Sequence, residues 1–137
     1  MTGDTAAVWS RALHQQHGRP RTDGDRALHD LLVLDNLAQS SGLVQAVRTL
    51  KAWELASAVA GYRWFGLNRL ADGIESVAAE AATIKFYTPE SHHQQTLLEE
   101  RAVSLFFGIE GSDLLEDAVE ACVAERPEAF AGTGRAT

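Results

Sequence analysis

The residues with the clearest chemical potential are four carboxylates near the C-terminal end of the sequence. Their spacing of i, i+3, i+4 and i+7 would place them on one stripe about 10 Å long if the segment is helical. These acids are Asp113, Glu116, Asp117 and Glu120. No basic residue lies between them, so each i, i+4 pair of like charges costs about a few tenths of a kcal/mol. Such a stripe is typical either of a solvated helix face, whose first acids complement the helix dipole, or of a surface that binds a basic partner.

Three further acids extend this pattern. Glu99 and Glu100 fall on the preceding predicted helix, and Glu110 falls in the turn that connects the two helices. An antiparallel helix pair would join all seven carboxylates into one flat anionic surface. Such a surface would present a basic protein with clustered negative charges, as a nucleic-acid phosphate backbone does. We therefore predict that these seven residues form a partner-binding surface.

The search for enzyme motifs and metal-ligand spacings favours a non-catalytic protein. His14 and His17 are three residues apart and His29 follows a turn, but no His-Glu-x-x-His pattern accompanies them. His92 and His93 are adjacent, so on a helix they point about 100° apart and are expected to face solvent. No Gly-x-Ser-x-Gly and no Gly-x-x-x-x-Gly-Lys occurs. The sequence therefore predicts no catalytic residue, no cofactor and no metal.

The remaining reactive or aromatic side chains fit a helical core better than a site. Cys122 lies on the predicted apolar face of the last helix, where a thiol acts as a small hydrophobe. Trp9, Trp53 and Trp64 are expected in the core, because the sequence shows no convergent polar groups around them. The alternative is a small-ligand protein or enzyme with a bundle cavity, lined by Trp53, Tyr62, Trp64 or the N-terminal histidines.

The charge distribution separates the two halves of the chain. The 137 residues carry a net charge of -7, which argues against direct binding of nucleic acid through its phosphates. Residues 1–70 have a net charge of +2 and residues 71–137 a net charge of -9. Asp25, Asp30 and Asp35 in the first half therefore serve as comparison carboxylates, whose reversal should matter less for partner binding.

The elements that position these residues are predicted to be helices. Apolar residues recur at spacings of three and four, which indicates an all-α, single-domain bundle of about six helices over residues 1–130, with a flexible tail at 131–137. The predicted helices begin near Asp4, Asp23, Leu43, Gly66 or Asn68, Thr88, and Ser112 or Asp113. The third continues to Gly61 or Gly66, and Phe130 folds back onto the core. No apolar stretch suits a membrane span or a secretory leader, so a cytoplasmic location is expected.

Three segments, spread in the same order over a stretch of about 100 residues, resemble the small acidic helical proteins of the bacterial DNA-mimic family. Residues 34–46 are similar to that family's helix, small-residue turn and next helix start, although Ser40, Ser41 and Leu43 replace three residues of the usual Asn-Gly-Gly-Phe. Residues 56–74 resemble its alanine- and glycine-bearing helices, and residues 121–130 resemble its closing helix. The resemblance implies an all-helical fold and an anionic surface that occupies the DNA-binding face of a transcription factor.

These observations lead to one functional expectation and two alternatives. The expected function is that of a non-catalytic acidic protein that binds a basic protein, such as a transcription regulator or a nuclease, by imitating the phosphate backbone of DNA. An immunity or antitoxin protein would use the same surface against another target. The cavity-based ligand protein or enzyme is the second alternative. No membrane partner is expected, and the oligomeric state stays open, a homodimer included.

Overall fold

The protein folds as a bundle of α-helices. The computed structural model describes residues 3–13, 22–106 and 111–131, and the side chains of residues 111 and 112 are not among those described. Within these ranges there are seven α-helices, two one-turn 3₁₀ helices at Pro89–Ser91 and Pro127–Ala129, and no strand. The α-helices are α1 (Gly3–Leu13), α2 (Asp23–Ser41), α3 (Leu43–Thr49), α4 (Ala52–Trp64), α5 (Asn68–Ala81), α6 (His92–Phe106) and α7 (Gly111–Glu125). The all-α prediction is confirmed.

Helix α2 lies at the centre of the bundle. It contacts α1, α3 and α4, and the C-terminal 3₁₀ turn covers its first residues. Leu28, Leu31 and Leu34 of α2 are fully buried, and Tyr62, Ile74 and Leu98 bury against the same core from α4, α5 and α6. The regular recurrence of large apolar residues at helical spacing accounts for this core.

The contact between α2 and α4 depends on Gly61. A Cβ atom at this position would lie 2.4 Å from the carbonyl oxygen of Ala27 and 3.2 Å from Cβ of Leu31. The backbones of the two helices therefore meet where a side chain is absent. The helix itself ends later, at Trp64, and Gly66 just beyond it, with a φ of 82° and an N–H that donates to the Arg63 carbonyl, forms a Schellman-type end.

The segment predicted as one helix from Leu43 onward is two helices, and this adds one helix to the predicted six. Leu50 and Lys51 have extended backbones, with ψ near 150°, so α3 ends at Thr49. Helix α4 restarts because the side chain of Glu54 accepts a hydrogen bond from the Lys51 backbone N–H at 2.9 Å. Neither glycine nor proline marks this break, which is why the sequence pattern did not reveal it.

A buried carboxylate joins the two ends of the described chain. Asp25 is 3% exposed, and its Oδ1 accepts from Nη2 of Arg11 at 2.8 Å. Its Oδ2 accepts from the hydroxyl of Thr22 and from the backbone N–H of Ala131, the latter at 2.8 Å. Phe130 is 2% exposed beside this network, so the prediction that it folds back onto the core is confirmed. Asp25 is thus a structural residue rather than a free surface carboxylate.

Candidate functional site

Helix α7 presents its predicted acids on the side opposite its core face. Leu115, Val119 and Cys122 are buried, whereas Asp113, Glu116 and Asp117 are exposed and Glu120 is partly buried. We call these four carboxylates the α7 acidic stripe. The amphipathic arrangement predicted for this segment is therefore present in the structure.

The exposed acids of the α7 acidic stripe differ from those of α5 in their partners. Among the described residues, no cation lies within ion-pair distance of Asp113, Glu116 or Asp117. On α5, by contrast, Arg63 pairs with Asp72 at 2.7 Å and with Glu75 at 2.6 Å. The charges of Asp113, Glu116 and Asp117 are therefore not compensated by an ion pair with another described residue.

The other predicted acids have different surroundings. Glu100 is exposed on α6, and Glu99 is exposed beside a groove between α3 and α6 to which no described residue of α7 contributes. Glu110 lies outside the described residues. The continuous surface that would join α6 to α7 thus stays a prediction.

The groove beside Glu99 contains an aromatic and cationic cluster that sequence reasoning missed. The guanidinium of Arg48 lies 3.8 Å from the ring centroid of Phe86 and 5.6 Å from that of Tyr87. Tyr87 is 76% exposed and has a φ of 65°, a left-handed conformation that is rare for a bulky residue. Its N–H donates to Oε1 of Gln95 at 3.0 Å, which helps to hold this conformation. Arg48 is distant in sequence from Phe86 and Tyr87, so no local sequence motif indicates the cluster.

A second concavity opens to solvent where α1, α2, α4, α5 and α7 meet the end of α6. It has a volume of about 150 Å³, and its polar lining groups are Asp35, Gln39 and Glu116, with the hydroxyl of Tyr62. Trp9 and four leucines supply much of the remaining wall. The alternative interpretation placed Tyr62 beside a cavity, and the structure agrees on that residue.

The central feature of this cavity is a pair formed by Asp35 and Tyr62. The buried hydroxyl of Tyr62 donates to Oδ1 of Asp35 at 3.3 Å. Burial raises the pKa of Asp35 above its ordinary value, and the hydrogen bond from Tyr62 only partly opposes this effect. Burial, together with the negative charge of Asp35, also raises the pKa of Tyr62. Asp35 therefore cannot serve as an ordinary surface comparison carboxylate, in contrast to the sequence-based expectation.

This pair leads to a prediction about stability and pH. Asp35→Asn keeps an oxygen that can accept from Tyr62 and removes the buried charge, so we expect a higher melting temperature than that of the parent at pH 7. The raised pKa means that the folded parent binds the proton more tightly than the unfolded chain, and its stability falls as pH rises from about 4 through the folded pKa. The difference between variant and parent should shrink on acidification below pH 4. Thermal melts from pH 3 to 8 measure this, and a variant that is less stable at pH 7 would contradict it.

The tryptophans and histidines singled out in the sequence differ in how far they are buried. Trp53 is 63% exposed, so the expectation that it is buried in the core is wrong: it lies in the first turn of α4, and the buried residues of this helix begin at Ala58. Trp64 packs on Phe65 and Phe130 and lines neither concavity described above. His92 and His93 are exposed as predicted.

The remaining candidate metal ligands do not come together at one site among the described residues. His14 and His17 lie outside the described residues, and Nδ1 of His29 is 3.3 Å from the Ala12 carbonyl. Cys122 is buried, in agreement with its predicted core position. Over residues 3–13, 22–106 and 111–131, no three His, Cys, Asp or Glu side chains are grouped to hold a metal ion.

The chain matches no protein-family description, no curated protein and no solved structure with significance. Within the described part of the chain, no helix is both long and apolar enough to cross a bilayer.

Proposed function

We propose that this protein is a non-catalytic binding protein that uses the α7 acidic stripe to bind a basic protein, such as a DNA-binding regulator or a nuclease. The observation that carries the proposal is the exposure of three carboxylates on one helix face without a cation in ion-pair distance among the described residues. A cationic partner would relieve the mutual repulsion of these carboxylates. It would also associate faster, because their electrostatic field attracts it.

The packing of α7 against the core supports this role. Leu115, Val119 and Cys122 anchor α7 in the core, so the carboxylates hold their spacing before a partner arrives. A preorganised array loses less conformational entropy on binding than a disordered acidic tail. The resemblance of residues 34–46, 56–74 and 121–130 to the DNA-mimic family supports a DNA-binding protein as the partner class, and an immunity or antitoxin role remains its alternative.

The test combines capture, competition and charge reversal. We expect the immobilised protein to retain a basic protein from its native host at low salt and to release it at high salt. With that partner purified, association rates should fall as ionic strength rises, because exposed charges are screened within about 8 Å at physiological salt. Duplex DNA should compete for the partner and should not bind the acidic protein itself.

Charge reversal then locates the surface. Asp113→Lys with Asp117→Lys should weaken partner binding by about tenfold or more while changing the free energy of unfolding by about 1 kcal/mol or less in total, because both side chains are exposed. Neither residue lines the concavity beside Asp35. The matched control, Asp72→Lys with Glu75→Lys, changes the net charge equally on α5 and should retain most of the affinity.

Two results would contradict the proposed function. One is partner binding that does not depend on salt. The other is equal loss of affinity in the α5 and α7 double variants, since that would show a response to net charge alone rather than to the α7 acidic stripe.

A further inference from the structure

The groove between α3 and α6 combines an apolar lining with one exposed charge of each sign. Its volume is about 310 Å³, and Leu43, Val44 and Ala102 are the buried apolar residues that line it. Arg48 of α3 and Glu99 of α6 also line it, and both are exposed. We call this concavity the α3–α6 groove.

Neither charge at the α3–α6 groove has an ionic partner on its own chain within the described ranges. No carboxylate of these ranges lies within ion-pair distance of Arg48, and no cation lies within that distance of Glu99. On the same helix as Glu99, by contrast, Arg101 pairs with Glu80 at 2.7 Å. The Arg48 guanidinium lies 3.8 Å from the Phe86 ring centroid, and a stacked guanidinium keeps its N–H donors available for a carboxylate.

Two large apolar side chains are exposed at the same groove. Tyr87 is 76% exposed and Val103 is 57% exposed. The backbone of Tyr87 has a φ of 65°, a conformation that costs free energy in a residue other than glycine, and the bond from its N–H to Gln95 helps to hold it. The fold therefore presents this ring to solvent in a fixed position. A molecule that covers Tyr87 and Val103 would gain free energy by removing their apolar surface from water.

The pair of charges indicates what kind of molecule fits. A two-fold symmetric dimer makes each contact twice, so a surface with one cation and one anion is complementary to itself. An acidic partner would place like charge against Glu99, and a basic partner would place like charge against Arg48. A second copy of this chain offers an opposite charge to both residues.

We propose that the α3–α6 groove is a homodimer interface in which Arg48 pairs with Glu99 of the partner subunit, and in which Tyr87 and Val103 are covered. Glu99 then belongs to this contact rather than to the partner-binding surface for which it was predicted. No described residue of α7 lines the groove, so both α7 acidic stripes stay accessible in the dimer. The proposed function and the dimer can therefore fail separately.

The charge of the whole chain limits the affinity. Each copy has a net charge of -7, which opposes association. At physiological salt, charges farther apart than about 8 Å are largely screened, whereas a short ion pair is screened less. Because the contact comprises one groove, we expect a reversible dimer with a Kd on the order of 10 µM.

The test is sedimentation of the full chain from about 1 to about 300 µM at physiological salt, with charge-exchanged variants. Arg48→Glu and Glu99→Arg should each raise the Kd of the dimer about tenfold or more, because both ion pairs become repulsive contacts. The double variant restores opposite charges and should return the Kd to within about threefold of the parent. An equimolar mixture of the two single variants should also associate, since each charge again faces its opposite.

Two controls separate this contact from net charge and from misfolding. Glu100→Arg changes the charge of α6 equally at an exposed acid that does not line the groove, so it should leave the Kd nearly unchanged. Tyr87→Gly should weaken the dimer while leaving the melting temperature nearly unchanged, because glycine adopts a positive φ without strain. Melting curves establish that every variant is folded.

Four results would overturn the proposal. They are a chain that stays monomeric up to about 300 µM, a dimer that neither single variant weakens, a folded double variant that does not recover association, and a dimer that Glu99→Arg strengthens. The last result would show a response to net charge alone, since this variant lowers the negative charge of each copy.

Discussion

Gly61→Ala is expected to lower the free energy of unfolding by about 2–3 kcal/mol, which for a chain of this size corresponds to roughly 10 °C in melting temperature. The new methyl group would meet the backbone oxygen of Ala27 at 2.4 Å. A carbonyl in a helix cannot rotate away as a side chain can, so α2 and α4 would have to separate. Because α2 is the central helix, the separation would loosen the contacts of Leu28 and Leu31 as well.

Gly73→Ala provides the matched comparison, since this glycine also lies within a helix. A methyl group there would meet the side chain of Leu105, at 2.6 Å, rather than backbone. Leucine can change rotamer, and alanine favours a helix by about 1 kcal/mol over glycine, so we expect a net change of about 1 kcal/mol or less. Thermal and urea unfolding of both variants measure the difference. Equal destabilisation would show that the close approach of α2 and α4 does not limit stability.

Asp25→Ala is the second variant with a large expected effect, a loss of about 3 kcal/mol in the free energy of unfolding. The substitution removes the acceptor of the Ala131 N–H and of the Thr22 hydroxyl, and it leaves Arg11 without its ion-pair partner. The buried end of the network at Asp25 is lost together with the part-buried hydrogen bond from the Ala131 N–H, so the cost exceeds that of breaking one exposed ion pair. Calorimetric melting at pH 7 measures the loss.

Two substitutions distinguish this network from a general effect of negative charge. Asp23→Ala removes an exposed acid from the same first turn of α2, so it should cost only about 0.3–1 kcal/mol through the helix dipole. Asp25→Asn retains one acceptor oxygen and should fall between the two. If Asp23→Ala were as destabilising as Asp25→Ala, the dipole rather than the buried network would explain the effect.

The sequence was sufficient for the helical fold because the relevant signal is local. Leucines at 28, 31 and 34 repeat at helical spacing, and each is buried in the core. A helix was predicted to begin near Thr88, and a 3₁₀ turn begins at the next residue, Pro89, and leads directly into α6. The amphipathicity of α7 followed from the same local periodicity. Exposure of its acids could therefore be predicted, whereas their use by a partner is a property of two molecules.

The features that sequence reasoning missed depend on contacts between distant residues. Asp25 resembles an ordinary first-turn acid until Arg11 and Ala131 are placed beside it. Asp35 resembles a surface position until Tyr62 and Glu116 are seen around the same cavity. The burial of a polar residue depends on its neighbours in the tertiary structure, and the local periodicity of the sequence does not identify those neighbours.

The bond between Asp25 and the Ala131 N–H has a consequence for synthesis of the protein. The two residues are 106 positions apart, so at typical elongation rates the carboxylate emerges about 5–20 s before its last hydrogen-bond donor. During that interval the start of α2 also lacks the cover of Phe130. The hydrogen bond to Asp25 therefore forms only after residue 131 has left the ribosome, and the surface of α2 beneath Phe130 is accessible to chaperones until then.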